Sequence, residues 1–132
     1  MARLHLVAHG ARLRGWAAAA RDDYLARMPR GYAVQLAQRV PRGARVVALD
    51  EHGRELSSAQ FAAQLARWAG EQAAIAFVVG GPDGLDAETK RAADFLLRLS
   101  SLTLPHALAQ VVLAEQLYRA ATRLTGHPYH RE

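Results

Sequence analysis

Three short segments carry residues whose types and spacing suit chemistry. The chain closes on His127-Pro128-Tyr129-His130-Arg131-Glu132, which gathers two imidazoles, a phenol, a guanidinium and acidic groups. As a metal site this is weak, because no ligand run follows His127 and His130 and Pro128 denies them a helical face. A tail can simply fray, yet a fraying tail rarely carries Tyr, His, Arg and Glu together. Val79-Gly80-Gly81-Pro82-Asp83-Gly84-Leu85 is either an ordinary tight turn or a ligand loop. Its glycines would let the backbone approach a ligand and offer N–H donors. No Gly-Lys-Ser/Thr follows, so it is not a Walker loop, and it lacks the dinucleotide spacing. Leu99-Ser100-Ser101-Leu102-Thr103-Leu104-Pro105-His106 reads as a strand ending just before a helix. That is either a plain strand and turn or a place to hold an adenine by main-chain contacts.

The elements that must position these segments follow from periodicity. Arg3 to Ala8 reads as a strand. Trp16 to Met28 reads as a helix with Trp16, Ala20, Tyr24 and Met28 on one stripe. Tyr32 to Val40 and Arg45 to Leu49 read as strands. Ser57 with Gln60 is a capping-box signature for the helix of Phe61, Leu65 and Trp68, which Gly70 is expected to stop. Ile75 to Val79 reads as a strand buried on both faces. Asp86 caps a helix expected to run to about Leu97, with a strand over Leu99 to Leu104. Ala107 to Leu124 is the longest helix, ended by Gly126 and Pro128. The alternation predicts one α/β domain over residues 1–132, with a mainly parallel sheet flanked by helices. Ligands of such sheets bind beyond the carboxyl ends of strands, which selects the loops after Leu49, at Gly80 to Gly84 and after Leu104.

The 132 residues, 51% of them hydrophobic, suit one core and leave no room for an ordinary second domain. Cysteine is absent, which excludes disulfides and thiolate metal sites and points to a reducing compartment. The apolar run in MARLHLVAHGARLRG is too short for a signal or a membrane span. A cytoplasmic protein without a membrane partner is expected. The formal charge of +5 and pI of about 10.4 favour an acidic partner such as nucleic acid. Lysine occurs once, at Lys90, against abundant Arg and Ala, and a GC-rich genome alone produces such a bias. The last helix carries Leu113, Leu117, Ala121 and Leu124 on one stripe, with Leu108, Val111 and Val112 beside it. Such a girdle serves core packing or a dimer interface. Glu115 in the same run is placed to pair with an arginine.

Taken in order, IAFVVGGPDGL, LSSLTLPHALAQVVLAEQLYRA and terminal HPYHRE resemble the ribosomal RNA large-subunit pseudouridine N3-methyltransferases. These belong to the SPOUT class of knotted methyltransferases. The likeness covers nearly the whole chain, including the opening LHLVAHG. It implies a C-terminal trefoil knot cradling S-adenosylmethionine, with Leu49, Gly81 and Ser100, Ser101, Leu102, Thr103, Leu104 and Pro105 contacting the cofactor. Gly80 and Gly84 would shape the same pocket. It further implies a homodimer whose active site the second subunit and the tail complete. The implied substrate is a pseudouridine of large-subunit ribosomal RNA on the assembled ribosome. In that chemistry His130 is the leading general base, since a near-neutral pKa suits it. Arg131 would neutralise the anionic base or grip a phosphate, Tyr129 would stack on the nucleobase, and Glu132 would orient either partner. Another SPOUT RNA methylation, or a non-catalytic RNA- or ribosome-binding protein that kept the fold, are the alternatives.

One departure stands out. Relatives usually carry a basic loop and a helix between the second and third strands, whereas here Pro41-Arg42-Gly43 joins Val40 to Ala44. A parallel crossover ordinarily needs a dozen or more residues. The sequence therefore predicts an antiparallel hairpin between Val34–Gln38 and Arg45–Leu49, or a first segment unlike the family's strand. A lost helix would bare part of a sheet face and remove basic charge used in docking.

Overall fold

The computed structural model describes residues 2–129; the expected catalytic positions His130, Arg131 and Glu132 lie outside the described residues. Strands run over Arg3–Ala8 (β1), Val34–Ala37 (β2), Arg45–Glu55 (β3), Ala74–Val79 (β4) and Phe95–Arg98 (β5). Helices run over Gly15–Ala26 (α1), Ser58–Glu71 (α2), Ala87–Ala92 (α3) and His106–Thr125 (α4). The strands form one sheet in the order β2-β1-β4-β3-β5, and every pairing is parallel. Central β4 is apolar along its length, as a strand covered on both faces must be.

One face of the sheet holds the larger core. Leu4, Leu6, Val47, Ile75 and Phe77 pack there against Phe61, Leu65 and Trp68 of α2 and Leu113 and Leu117 of α4. The Ser57 capping box forms as expected: the Ser57 hydroxyl accepts from the Gln60 N–H, and the Gln60 side chain accepts from the Ser57 N–H. The helix passes Gly70 and ends at Glu71. A glycine without a neighbour to demand positive φ lowers helix propensity but does not stop a helix. Leu113, Leu117 and Ala121 of the α4 stripe are consumed by the core. Trp16, by contrast, is not a core residue, being 68% exposed.

The opposite face is lined by the smaller Val7, Ala48, Ala76 and Val78. It corrects the expectation about the short link. β2 and β3 form no hairpin: β2 pairs with β1, while β3 lies between β4 and β5. The chain over residues 38–44 therefore crosses β1 and β4 without a helix. The lateral step is about 14 Å at ordinary strand spacing, and an extended segment of this length reaches about 25 Å. β2 is short, so the climb back to the start of β3 is short too. Ala37 and Ala44, at either end of the link, pack on the small side chains beneath.

The region after Asp86 differs from its expectation. The helix stops at Ala92, and the strand lies at Phe95–Arg98 rather than Leu99–Leu104. Asp94 supplies the reason: its N–H donates to the Val46 carbonyl at 2.9 Å, and its carboxylate accepts from the Val46 N–H at 2.8 Å. This two-way pairing draws Phe95 onward into the sheet beside β3 and leaves residues 99–105 irregular. Among the described residues no helix is long and apolar enough to cross a membrane.

Candidate active site

A cavity of about 610 Å³ opens at the carboxyl ends of β3, β4 and β5, above the start of α4. That volume lies in the usual range for small-molecule and cofactor sites. Leu49, Gly80, Gly81, Gly84, Ser100, Leu102, Thr103, Leu104 and Pro105 all line it. Ser101 is not on its wall; its carbonyl instead accepts from Arg98 Nη2 at 3.2 Å.

Two loops make the walls. In the glycine loop, the Gly84 N–H donates to the Gly81 carbonyl at 2.9 Å, and Gly84 adopts φ +77°. Gly80 is required for closure, because a Cβ there would stand 2.5 Å from the Gly84 carbonyl carbon and 2.7 Å from the Leu85 nitrogen. The second loop is braced from beneath. Arg98 Nε donates to the Ser100 carbonyl at 3.0 Å, and the Leu102 N–H donates to Ser100 Oγ at 2.9 Å. Those bonds leave Leu102 75% exposed at the cavity and the main chain of Thr103 and Leu104 outside any strand or helix.

The electrostatics of the cavity come from residues that sequence reasoning passed over. Asp50, Glu51 and Asp83 bring carboxylates, and Lys90 and Arg98 bring cations. Lys90 Nζ lies 3.2 Å from Asp50 Oδ1, tying α3 to the middle of β3 across the cavity wall. The chain's single lysine was the available signal for this pair; Asp50 had none beyond following the apolar run that ends at Leu49. A cavity of this size, with irregular main chain for a base and carboxylates for hydroxyls and cationic groups, fits a charged adenosyl cofactor.

Tyr129 sits elsewhere. Its Oη donates to Glu115 Oε2 at 2.9 Å, its ring meets Tyr118 edge-on at 4.6 Å, and the Arg119 guanidinium stands 5.1 Å from its centre. Arg119 is itself held by Glu115, at 2.6 Å from Nη2 and 3.0 Å from Nε. This is the arginine partner expected for Glu115. Burial, then the bond to Glu115, pushes the Tyr129 phenol well above its ordinary pKa. The Glu115 hydrogen bond likewise raises Arg119. Tyr129 is thus engaged on both its hydroxyl and its ring.

A parallel sheet with a glycine loop and irregular main chain around a cavity at its carboxyl edge defines an α/β protein with its ligand site in the usual place for that architecture. Residues 30–130 match the family described as "Predicted SPOUT methyltransferase", and the chain belongs to the SPOUT methyltransferase family. It is 47% identical over 146 aligned positions to a ribosomal RNA large subunit methyltransferase H from Polynucleobacter asymbioticus, covering 98% of this chain and 99% of that protein. A protein of the same name from Bordetella avium is 44% identical over 154 positions, with the same coverage. Those alignments are longer than the chain, so these relatives carry residues that it lacks. Two solved structures share the fold. A probable methylase family protein from Haemophilus influenzae superposes with a TM-score of 0.63 at 12% identity, covering 98% of this chain and 70% of that one. A probable methyltransferase from Bordetella pertussis gives 0.60 at 15% identity, covering 91% and 96%.

Proposed function

We propose that this protein methylates N3 of a pseudouridine in large-subunit ribosomal RNA, on the assembled ribosome, using S-adenosylmethionine. The observation that carries the reading is the convergence of Leu49, Gly80–Gly84, Ser100 and Leu102–Pro105 on one cavity at the carboxyl edge. Its relatives' names, at 47% and 44% identity over nearly whole chains, support the RNA substrate.

The cofactor supplies a methyl group already activated by a sulfonium, so the protein's work is placement and one proton transfer. Main chain at Leu102 to Leu104 would hold the adenine, and the Gly80–Gly84 loop would bring backbone N–H groups close to the ligand. Asp50, steadied by Lys90, is set to accept from hydroxyls or an ammonium. Alignment of the base nitrogen with the methyl carbon is a proximity effect. His130 would take the imide proton as general base, Arg131 would stabilise the anionic base, and Glu132 would orient either. Tyr129 serves in this reading as the anchor from which those residues depart.

A homodimer fits the same geometry. His106 lines the cavity while Glu115, which holds Tyr129, is nine positions further along α4. At about 100° per residue the two lie on opposite sides of the helix, so Tyr129 is held on the side away from its own cavity. A second copy would bring a tail to each cavity. The trefoil knot is part of this reading through the family alone; beside it, β5 is seated on a bulge of β3, where Leu97 pairs with both Leu49 and Arg54. Between them a Cβ on Gly53 would stand 2.7 Å from the Leu96 carbonyl group.

The test is transfer of labelled methyl from S-adenosylmethionine to ribosomes lacking the modification, with the modified nucleotide mapped. Methyl incorporation at a large-subunit pseudouridine is the expected result; ribosomes left unlabelled by protein that binds the cofactor would overturn the reading.

A further inference from the structure

A second cavity, of about 750 Å³, lies beside the first at the carboxyl ends of β1 and β2. The two share a wall. The His9 N–H donates to the Val79 carbonyl at 2.9 Å, and a Cβ on Gly10 would stand 3.1 Å from the Gly81 Cα. Whatever occupies the second cavity therefore sits one backbone thickness from the glycine loop of the first.

Its chemistry is cationic. Arg12 and Arg21 line it, with Asp22 as the accompanying carboxylate. Asp22 is already committed, accepting from Arg21 Nε at 2.8 Å. Arg21 is buried and also donates from Nη1 to Gln110 Oε1 at 2.7 Å. A guanidinium carries five N–H donors, more than these two bonds consume, so a fixed cation with donors to spare forms part of the wall. Among the described residues no carboxylate lies within ion-pair distance of Arg12, Arg14 or Arg39, which all fall in segments bordering the cavity. Trp16, in the first turn of α1 just beyond the lining residue Leu13, is 68% exposed. Unpaired arginines beside an exposed indole are the combination that grips phosphates and stacks on unpaired bases.

We propose that this second cavity receives a single-stranded RNA segment flanking the target nucleotide, with Arg12 and Arg21 on its phosphates and Trp16 stacked on a base. This rests on the reading of the protein as an RNA methyltransferase and adds the surface that would dock the substrate. The charge argues for RNA over an apolar protein partner, because the cavity's single carboxylate is neutralised from within. Arg12, Arg21 and Trp16 all lie outside residues 38–44, so the residues assigned to the RNA are independent of the shortened link between β2 and β3.

The test uses the full chain and a short fluorescein-labelled single-stranded RNA, read by fluorescence anisotropy, with Trp16→Ala and Arg12→Glu. Each variant should lose affinity for this RNA roughly tenfold, with cofactor affinity by calorimetry and mass in solution unchanged. Parent-like RNA affinity in both variants would overturn the proposal. So would lost RNA binding accompanied by a changed mass, which would mark the surface as a contact between subunits. A parent chain that methylates ribosomes but ignores this RNA would overturn the docking proposal alone; one that does neither would remove the methyltransferase reading as well.

Discussion

Tyr129 and Glu115, fourteen positions apart, are joined by a 2.9 Å hydrogen bond that folds the chain's end back along α4. The same carboxylate holds Arg119, whose guanidinium lies over the tyrosine ring. One half-buried acid thus fixes both the ring and the cation beside it. Tyr129→Phe removes the hydroxyl and keeps the ring contact. Methyl transfer to ribosomes should fall roughly tenfold, as expected for the loss of one charge-assisted hydrogen bond. Cofactor affinity by calorimetry should stay at the parent value; a parallel loss of cofactor binding would show that the bond supports the pocket instead.

Two glycines should respond with opposite sign to the same substitution. Gly80→Ala places a Cβ 2.5 Å from backbone at Gly84. The loop must shift, lowering stability by about 1–3 kcal/mol and weakening cofactor binding. Gly70, in α2, has no neighbour within 4 Å of an added Cβ. Gly70→Ala should raise stability by up to about 1 kcal/mol and leave the cofactor site unchanged. Thermal melts with and without S-adenosylmethionine read both effects.

Arg21 and Gln110 join α1 to α4 through a buried 2.7 Å bond. Gln110→Leu keeps the volume roughly constant while removing the acceptor from a cation that stays buried. A loss of about 2–3 kcal/mol in urea unfolding is expected. An unchanged midpoint would mean that Asp22 and solvent satisfy the guanidinium without it.

His5 links stability to pH. It is buried in β1, and desolvation, helped by the nearby Arg3, holds its imidazole below the ordinary pKa of 6.5. The folded chain therefore binds fewer protons here than the unfolded chain. Stability from this residue is complete above 6.5 and declines as pH falls through that value towards the lower folded pKa. Between about pH 7.5 and about pH 5.5 the parent's melting temperature should drop more than that of His5→Gln. Equal drops would assign the acid sensitivity to other groups.

Much of the carboxyl-edge cavity was legible because its residues are consecutive. The glycine loop and Ser100–Pro105 announce themselves as short segments after apolar runs. Asp50 and Lys90 were not legible, since they meet across elements, Lys90 on α3 reaching the middle of β3; Arg98 was not legible because the turn that brings the Ser100 and Ser101 carbonyls onto it is no part of the expected strand. Ser101 was grouped with its neighbours by sequence, but the turn places its carbonyl on Arg98 instead of on the cavity wall. Trp16 fitted a helical stripe by spacing, yet the stripe's first turn lies beyond the core.

By itself the sequence determined the alternation of strands and helices, the parallel sheet, the glycine-bounded central strand, the Ser57 cap and the motifs that mark the family. These depend on local periodicity and short-range turn chemistry, which the order of residues states directly. Tertiary structure alone decided the placement of β2 and β3 on opposite sides of two other strands. It also set the start of β5 just after Asp94 and the fastening of Tyr129 to Glu115. Each of these is a competition between pairings distant in sequence, settled by which backbone and side-chain groups can meet in three dimensions. The short link predicted a hairpin because linker length limits what can pair. Small alanines on the sheet face let a short link, bent at Gln38–Arg39 and turned at Pro41–Ala44, make the crossover that length alone had argued against.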